Sequence, residues 1–589
     1  MSFHFEQQHP AKHAERIERD HSGKSNGVLT LTASLFALAA LLITIFSLYL
    51  TFILQWQGPF RDLWEFVDDI ERQLRGEWSL NYLLEAYGGA HRIFLPKLLF
   101  FADYYWLGGC NGLTIAIALL CQLAYLFLIA RILRQQALFT TERIIIAASF
   151  TLSLFSTTQV SNFLYAMDVQ WYMSNLFGLA SMYALAQSPN SSFQWLKVLL
   201  LGIAAALCNF TGLMALPIAA LVLLLNQKKE KWHWATLLFI VLICLLYVSH
   251  EKNSQHVVLQ ALHSSDNWPT SIYILYDTLQ KMLPYLLRYL ASPLSREWPA
   301  AGSALSAIGL AITIYYWSLY IKNKKQLSNW QRLCLYISTY IIASAFFTAF
   351  GRFIYTNSST AERYQTLVLP WLPALFGLVW IDLRKWRFAN LIAVIWLLVF
   401  GCYLLPTQFV SARDMVILSQ RVNLAHTAAR AGVLEPPYIL ATLSYPLIKN
   451  DINSVKDNDT FLRSHQLGYF RQLPQFSLDK KVEANYTLLS CSGYTSLQLD
   501  EATQSWIIDG QLLADGKPVS DIILLQNNIV MGIGTQVGSD NSLLPAIWQP
   551  AETSRFRAFA RADHMQSNEP LIALGIANNQ VLCSYSLSL

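Results

Sequence analysis

Apolar residues fall along this chain in blocks, most of them too long to be core helices of a soluble protein. Blocks of bilayer-crossing length lie at 28–54, 110–130, 144–160, 169–187, 233–249, 301–321, 333–350, 365–381 and 388–405. A further apolar stretch, 196–226, is broken by Asn209-Phe210-Thr211-Gly212 and by Pro217. Lys197 precedes it and Lys228, Lys229 and Lys231 follow it, so positive charge marks both of its ends as cytosolic. The pattern there predicts two short helices meeting at the Asn209 break, which brings the bundle to about 11 helices.

The polar stretches carry patterns of their own. In the long loop 55–108, Phe60, Leu63, Trp64, Val67, Ile70 and Leu74 share one helical face, with charges opposite. That spacing predicts a helix lying at the membrane interface. Residues 92–107 are apolar but interrupted by Pro96, Lys97 and Asp103, and predict a second interfacial or half-inserted helix; 270–290 predict another. Residues 406–475 read as a mixed helical linker. Beyond them, short runs such as Trp506-Ile507-Ile508 and Ile522-Ile523-Leu524-Leu525 alternate with Asp509-Gly510 and Asp515-Gly516, the signature of an antiparallel β-domain built on tight turns. The expected fold is mostly α: a tail (1–27), a polytopic transmembrane helical bundle (28–405), the helical linker, and a β-sandwich over 476–589.

Composition strengthens the membrane assignment. Of 589 residues 54% are hydrophobic and only 13% charged, whereas soluble chains carry about 25% charged residues. The net charge of +5 gives no reason to expect nucleic acid as a partner. Arg131, Arg134, Arg143, the 228–231 cluster, Lys322 to Lys325 and Arg384 to Arg387 sit in short loops. Positive residues favour the cytosolic side, so the N-terminus is expected inside and the C-terminus outside. Six cysteines lie in or beside apolar blocks; no Cys-x-x-Cys or Cys/His cluster suggests zinc. Cys491 and Cys583 both fall in strand-like runs and are either bonded to each other or two reduced core residues.

Candidate chemistry gathers at the expected outer mouth of the bundle. Asp62 stands nearest the membrane exit in the first loop, where a carboxylate can act as general base. Asp68 and Asp69 follow, as a second choice of base or as the solvated face of their helix. His91, Arg92 and Lys97 offer cations at headgroup level, for a phosphate or for ordinary snorkelling. Arg352 and Arg363 bracket a polar loop, with Tyr364 beside them; the planar guanidinium suits phosphate, the alternative being an ion pair with Glu362. Asp168, Gln170 and Trp171 sit at a helix start on the same side, with Asn162 and Tyr165, and suit a sugar pocket or, equally, an aromatic belt at the interface. Asp103 is placed to pair with Lys97.

The acidic loop after the first helix, His91-Arg92-Ile93-Phe94-Leu95-Pro96-Lys97-Leu98, Asn209-Phe210-Thr211-Gly212-Leu213 running into Leu216-Pro217, and Gly351-Arg352 with Glu362-Arg363-Tyr364 together resemble the GT-C superfamily of membrane glycosyltransferases. The resemblance covers 28–405 and, more loosely, the C-terminal domain. It implies a bacterial inner-membrane enzyme that moves a sugar from a polyprenyl-phosphate carrier to a glycan, lipid or protein acceptor on the outer face. It implies Asp62 as base and Arg352 and Arg363, with His91 and Arg92, as holders of the lipid phosphate. The first loop departs from the pattern in that Asp62 stands alone and the adjacent acidic pair is Asp68-Asp69. Members differ in metal use, so a divalent metal stays open and no cofactor is assigned. Two other classes fit the same chain: a transporter or flippase of a lipid-linked glycan, which would want polar residues at mid-membrane, and a non-catalytic scaffold whose β-domain binds glycan.

Overall fold

A computed structural model describes residues 27–77, 83–85, 92–187, 191–225, 231–249, 268–292, 294–322, 326–352, 359–434, 452–482, 489–501, 503–537, 555–565 and 569–587. The expected N-terminal tail and His91 lie outside these residues.

The chain opens with α1 (Gly27–Ile53), α2 (Leu63–Leu74) and α3 (Phe94–Ala102), the last ending in a π-helical turn, Asp103–Leu107. The bundle continues with α4 (Gly112–Arg134), α5 (Thr140–Leu154), α6 (Val160–Leu164), α7 (Val169–Ala186), α8 (Ser192–Ala206), α9 (Ala215–Leu225) and α10 (Lys231–Ser249). It is completed by α11 (Trp268–Leu290), α12 (Leu294–Glu297), α13 (Pro299–Ile321), α14 (Asn329–Arg352), α15 (Glu362–Val368), α16 (Trp371–Leu383) and α17 (Ala389–Arg430). Among the described residues, seven helical stretches are long and apolar enough to cross a membrane: 27–53, 112–134, 140–164, 299–321, 329–352, 362–383 and 389–430; 192–206, 210–225 and 233–247 are shorter apolar helices.

The predicted break near Asn209 is present. The Asn209 side chain accepts from the Thr211 N–H at 3.1 Å and caps a 3-10 turn, Phe210–Met214, that leads into α9. Gly212 is required there by close approach: a Cβ would stand 2.1 Å from the Ala205 carbonyl oxygen. A second break separates α5 from α7. Ser156 caps the 3-10 turn Thr157–Gln159, and a further 3-10 turn, Ala166–Asp168, precedes α7. Irregular backbone within such a bundle is tolerated where protein buries it or it lines a cavity. Here Gln408 of α17 satisfies it: its Oε1 accepts from the Thr157 N–H at 2.8 Å and its Nε2 donates to Ser156 Oγ at 2.8 Å.

The amphipathic helix of the first loop exists as α2, but its apolar face is not open to lipid. Phe66 packs against Phe100 and Phe101 of α3, both with ring centroids 5.0 Å away. On another side, Asn458 of α18 (Ile452–Ser464) donates to the Trp64 carbonyl at 3.0 Å. Tyr105 and Trp106 of the π-helical turn are instead the exposed aromatics of this loop, at 77% and 70%.

α17 is far longer than its apolar block and carries the chain out of the bundle to the C-terminal domain. Among the described residues nine strands follow: β1 (Leu489–Ser490), β2 (Ser492–Asp500), β3 (Ser505–Ala514), β4 (Lys517–Pro518), β5 (Asp521–Gln526), β6 (Ile529–Val537), β7 (Arg555–Arg561), β8 (Leu571–Ala577) and β9 (Gln580–Leu587). They form one sheet in the order β1-β9-β8-β5-β6-β7-β3-β2, with β4 on β3, rather than the two facing sheets of the expected sandwich. All pairings are antiparallel except β1 with β9. Over the central strands both faces are buried. One carries Ile508, Leu512, Ile522, Leu524 and Ala573 beside the Cys491–Cys583 disulfide. The other carries Ile523, Leu525, Ile533 and Phe559 against Ala428, Ala431 and Val433 at the end of α17. Two-sided burial explains the unbroken apolar run Ile522 to Leu525, since only a one-sided strand alternates.

Asp515-Gly516 makes the expected turn, with φ of 49° and 73°. Asp509-Gly510 does not. β3 runs straight through it, because Asp509 pairs with Arg557 of β7 (2.7 and 2.8 Å) and Gly510 admits the neighbouring Tyr494 backbone.

Candidate functional site

A cavity of about 430 Å³ opens where the break between α5 and α7, the first loop, α12, the start of α15 and α17 meet. Its wall draws Trp56, Phe60 and Arg61 from the segment after α1, and Asn162, Tyr165 and Asp168 from the broken stretch between α5 and α7. Arg296 of α12, Glu362 and Arg363 of α15 and Asp414 of α17 complete its charged lining. Three guanidinium groups and three carboxyl groups thus face one space.

Local structure fixes each of them. Arg61 has φ of 51°, a left-handed backbone that costs a non-glycine residue about 1 kcal/mol or more. The turn is held on its other side, where the Asp62 N–H donates to Tyr165 Oη at 3.1 Å and the Tyr165 ring meets Phe60 edge-on at 5.4 Å. Asn162 donates to the Glu362 carbonyl (2.9 Å) and to Thr366 Oγ1 (2.8 Å), which locks the start of α15 against α6. Arg296 spans two carboxylates, Glu362 at 3.3 Å and Asp414 at 3.1 Å, and so ties α12 to α15 and α17. The expected ion pair of Glu362 is therefore made with Arg296, while Arg363 extends along the cavity wall over its neighbour's ring, 5.4 Å from the Tyr364 centroid.

Asp168 is the most perturbed acid of the site. Burial pushes its carboxyl up to about 8; the positive charges of Arg363 and Arg61 oppose this, and the negative charges of Asp62 and Glu362 add to it. A carboxyl of that affinity can take or return a proton near neutral pH. The same influences place Asp62, Asp168, Arg61 and Arg363 in one electrostatic neighbourhood, so the positions expected to converge, 62 and 363, stand at the same end of the bundle.

The other candidates lie off the wall of this cavity. Lys97 reaches Asp69 at 3.9 Å, not Asp103, with both side chains largely covered; burial lowers its proton affinity and Asp69 restores part of it. Asp103 caps α4 by accepting from the Asn111 and Leu113 N–H groups at 2.9 and 2.8 Å. Asp68 bonds Asn458 of α18, and burial raises it. Arg92 donates to the Leu84 carbonyl at 2.9 Å and lies over the Tyr247 ring. Gln170 accepts from Asn209 at 2.8 Å, which joins two sequence candidates into a brace between α7 and the α8–α9 break. Trp171 and Tyr289 flank Tyr364, with ring centroids at 5.8 and 5.1 Å, so the Tyr364 hydroxyl sits in an aromatic layer off the cavity. Arg352 ends α14 beside Tyr289, also off the cavity wall.

Arg61, Arg296 and Asp414 were not singled out by the sequence. Arg61 adjoins Asp62, which is a usable signal. Arg296 and Asp414 carry none, since only folding brings α12 and α17 to the cavity. Arg296 also borders a smaller, mostly apolar groove of about 190 Å³ lined by Leu294, Trp298, Cys402, Tyr403 and Val410. Among the described residues no group of three or more His, Cys, Asp or Glu is arranged to hold a metal ion. No known protein family matches the chain, and no curated protein or solved structure is significantly similar to it.

Proposed function

We propose that the chain is a membrane glycosyltransferase that moves a sugar from a polyprenyl-phosphate carrier to a hydroxyl-bearing acceptor of the cell envelope, on the outer face of a bacterial inner membrane. One observation carries the reading: Arg61, Arg296 and Arg363 line one cavity with the buried Asp168, and Arg296 also borders an apolar groove. A polyprenyl phosphate has that division, a dispersed anion on an apolar tail.

The chemistry balances with these groups. The acceptor oxygen attacks the anomeric carbon, the bond from that carbon to the phosphate oxygen breaks, and the acceptor proton passes to a carboxylate. The guanidinium groups stabilise the departing phosphate, so no general acid is needed. Asp168 lines the cavity and is the base this geometry favours. Asp62, the base implied by resemblance, adjoins it and raises its proton affinity. In proteoliposomes supplied with polyprenyl-phosphate sugars, Asp168→Asn and Arg363→Ala are each expected to abolish transfer while leaving insertion and folding intact. Full transfer by both variants would reject the site.

A further inference from the structure

A cleft of about 1000 Å³ lies between the root of α17, the linker after α18 and the β-sheet. It lies on a different side of α17 from the cavity above: Met415 and Leu418 face the cavity, whereas Val416, Ser419, Gln420 and Asn423 face the cleft. Segment 53–61 divides the two in the same way, with Trp56 and Phe60 on one side and Gln55 and Gln57 on the other.

The lining of the cleft is chemically distinct. It is rich in primary amides, among them Gln420 and Asn423 of α17, Gln475 of the linker, Gln536 of β6 and Asn579 of the β8–β9 turn. No side chain of these five is hydrogen-bonded to another described residue. Its guanidinium groups are already committed: Arg430 donates to the Gln472 carbonyl at 3.0 Å, and Arg471 donates to the Leu107 carbonyl. Asp521 accepts from Ser520 Oγ at 2.9 Å. The volume stands at the upper end of small-molecule sites, about 300–1,000 Å³.

We propose that this cleft binds an uncharged, polyhydroxylated ligand, namely a stretch of neutral oligosaccharide. A primary amide offers a donor and an acceptor side by side, which matches adjacent sugar hydroxyls. Amides from the helix, the linker and the sheet let one extended chain be read along its length. Arg430 and Asp521 attract each other and both guanidinium groups already donate to backbone carbonyls, which lowers the reward for a charged ligand. The inference does not depend on sugar transfer, because binding is read without any reaction.

The test uses the full chain in nanodiscs with maltopentaose, isomaltopentaose and chitotetraose as neutral probes and a heparin hexasaccharide as the anionic comparator. Saturation-transfer NMR and calorimetry read the binding. At least one neutral probe is expected to bind saturably and independently of salt. Gln420→Ala with Asn423→Ala, and separately Gln536→Ala, are expected to weaken it tenfold or more at unchanged melting temperature. Binding of the heparin fragment alone, no binding by any neutral probe, or neutral binding indifferent to these variants would each overturn the proposal.

Discussion

The state of Asp168 is the most exacting prediction this site makes. An ordinary aspartate titrates near 3.8, and burial holds this one at about 8. Across that window the folded protein keeps a proton that the unfolded chain has released. Stability is therefore highest below the ordinary value and falls as pH rises towards the folded one. The slope approaches about 1.4 kcal/mol per pH unit, or up to about 3 kcal/mol between pH 5 and pH 7. Asp168→Asn removes the titration, so its stability curve over this range is expected to be flatter than that of the wild type. Infrared spectroscopy reads the proton directly. A protonated-carboxyl stretch is expected at pH 6, absent from Asp168→Asn, and lost in the wild type as pH passes about 8. Neighbouring charges fix the direction of two further shifts: Arg363→Gln is expected to move the midpoint up and Asp62→Asn to move it down. If Asp168 is the base, kcat/KM rises roughly tenfold between pH 7 and pH 9, as the ionised fraction grows from about a tenth to most of the population. A midpoint near 4, or shifts of the same sign in both charge variants, would refute the reasoning.

Other parts of the structure make simpler predictions. Arg296→Ala removes two half-exposed ion pairs, worth about 1 kcal/mol together, so its melting temperature is expected to change little while donor turnover is lost; retained turnover would remove Arg296 from the site. Gly212→Ala drives a methyl group into the Ala205 carbonyl and Ser174, and a loss of about 3 kcal/mol is expected as a lower melting temperature and poor monodisperse yield. Cys491→Ser opens a bond joining residues 92 apart. A loss of about 4 kcal/mol is expected for the β-domain, reproduced by reductant in the wild type and read by tryptophan fluorescence; an unchanged transition would show that the sheet does not depend on the bond.

The bundle was legible because a bilayer-length apolar block has few alternatives, and the break at Asn209 because polar residues and glycine interrupt such a block visibly. Other features were hidden for physical reasons. An apolar helical face has the same periodicity whether it meets lipid or protein, so the spacing of α2 could not show that Phe66 packs against Phe100 and Phe101. Asp-Gly marks a turn only where no partner strand claims it, and Arg557 claims Asp509. The Asn527-Asn528 and Asn578-Asn579 turns, with positive φ at all four residues, do the work that Asp-Gly was expected to do and lacked its familiar signature.

The site divides along a geometric line that no one-dimensional reading can draw. Successive helical residues point about 100° apart, so neighbours in sequence need not share one target. Arg363 meets the cavity and Tyr364 the aromatic layer behind it; Asp168 meets the cavity, while Gln170 and Trp171 turn towards Asn209 and Tyr364. Charge near a helix mouth therefore identifies the right segment but not the right residue. Asp68, Asp69, Arg92 and Lys97 have suitable chemistry, yet their contacts serve the packing of α2 and the first loop. Arg296 and Asp414 do the reverse: nothing about them in sequence suggests a site, and each enters it because the fold brings its helix to the same cavity. The inference from residues to function is thus strongest where independent segments supply complementary groups to one space, as Arg61, Asp168, Arg296 and Arg363 do from four separate elements.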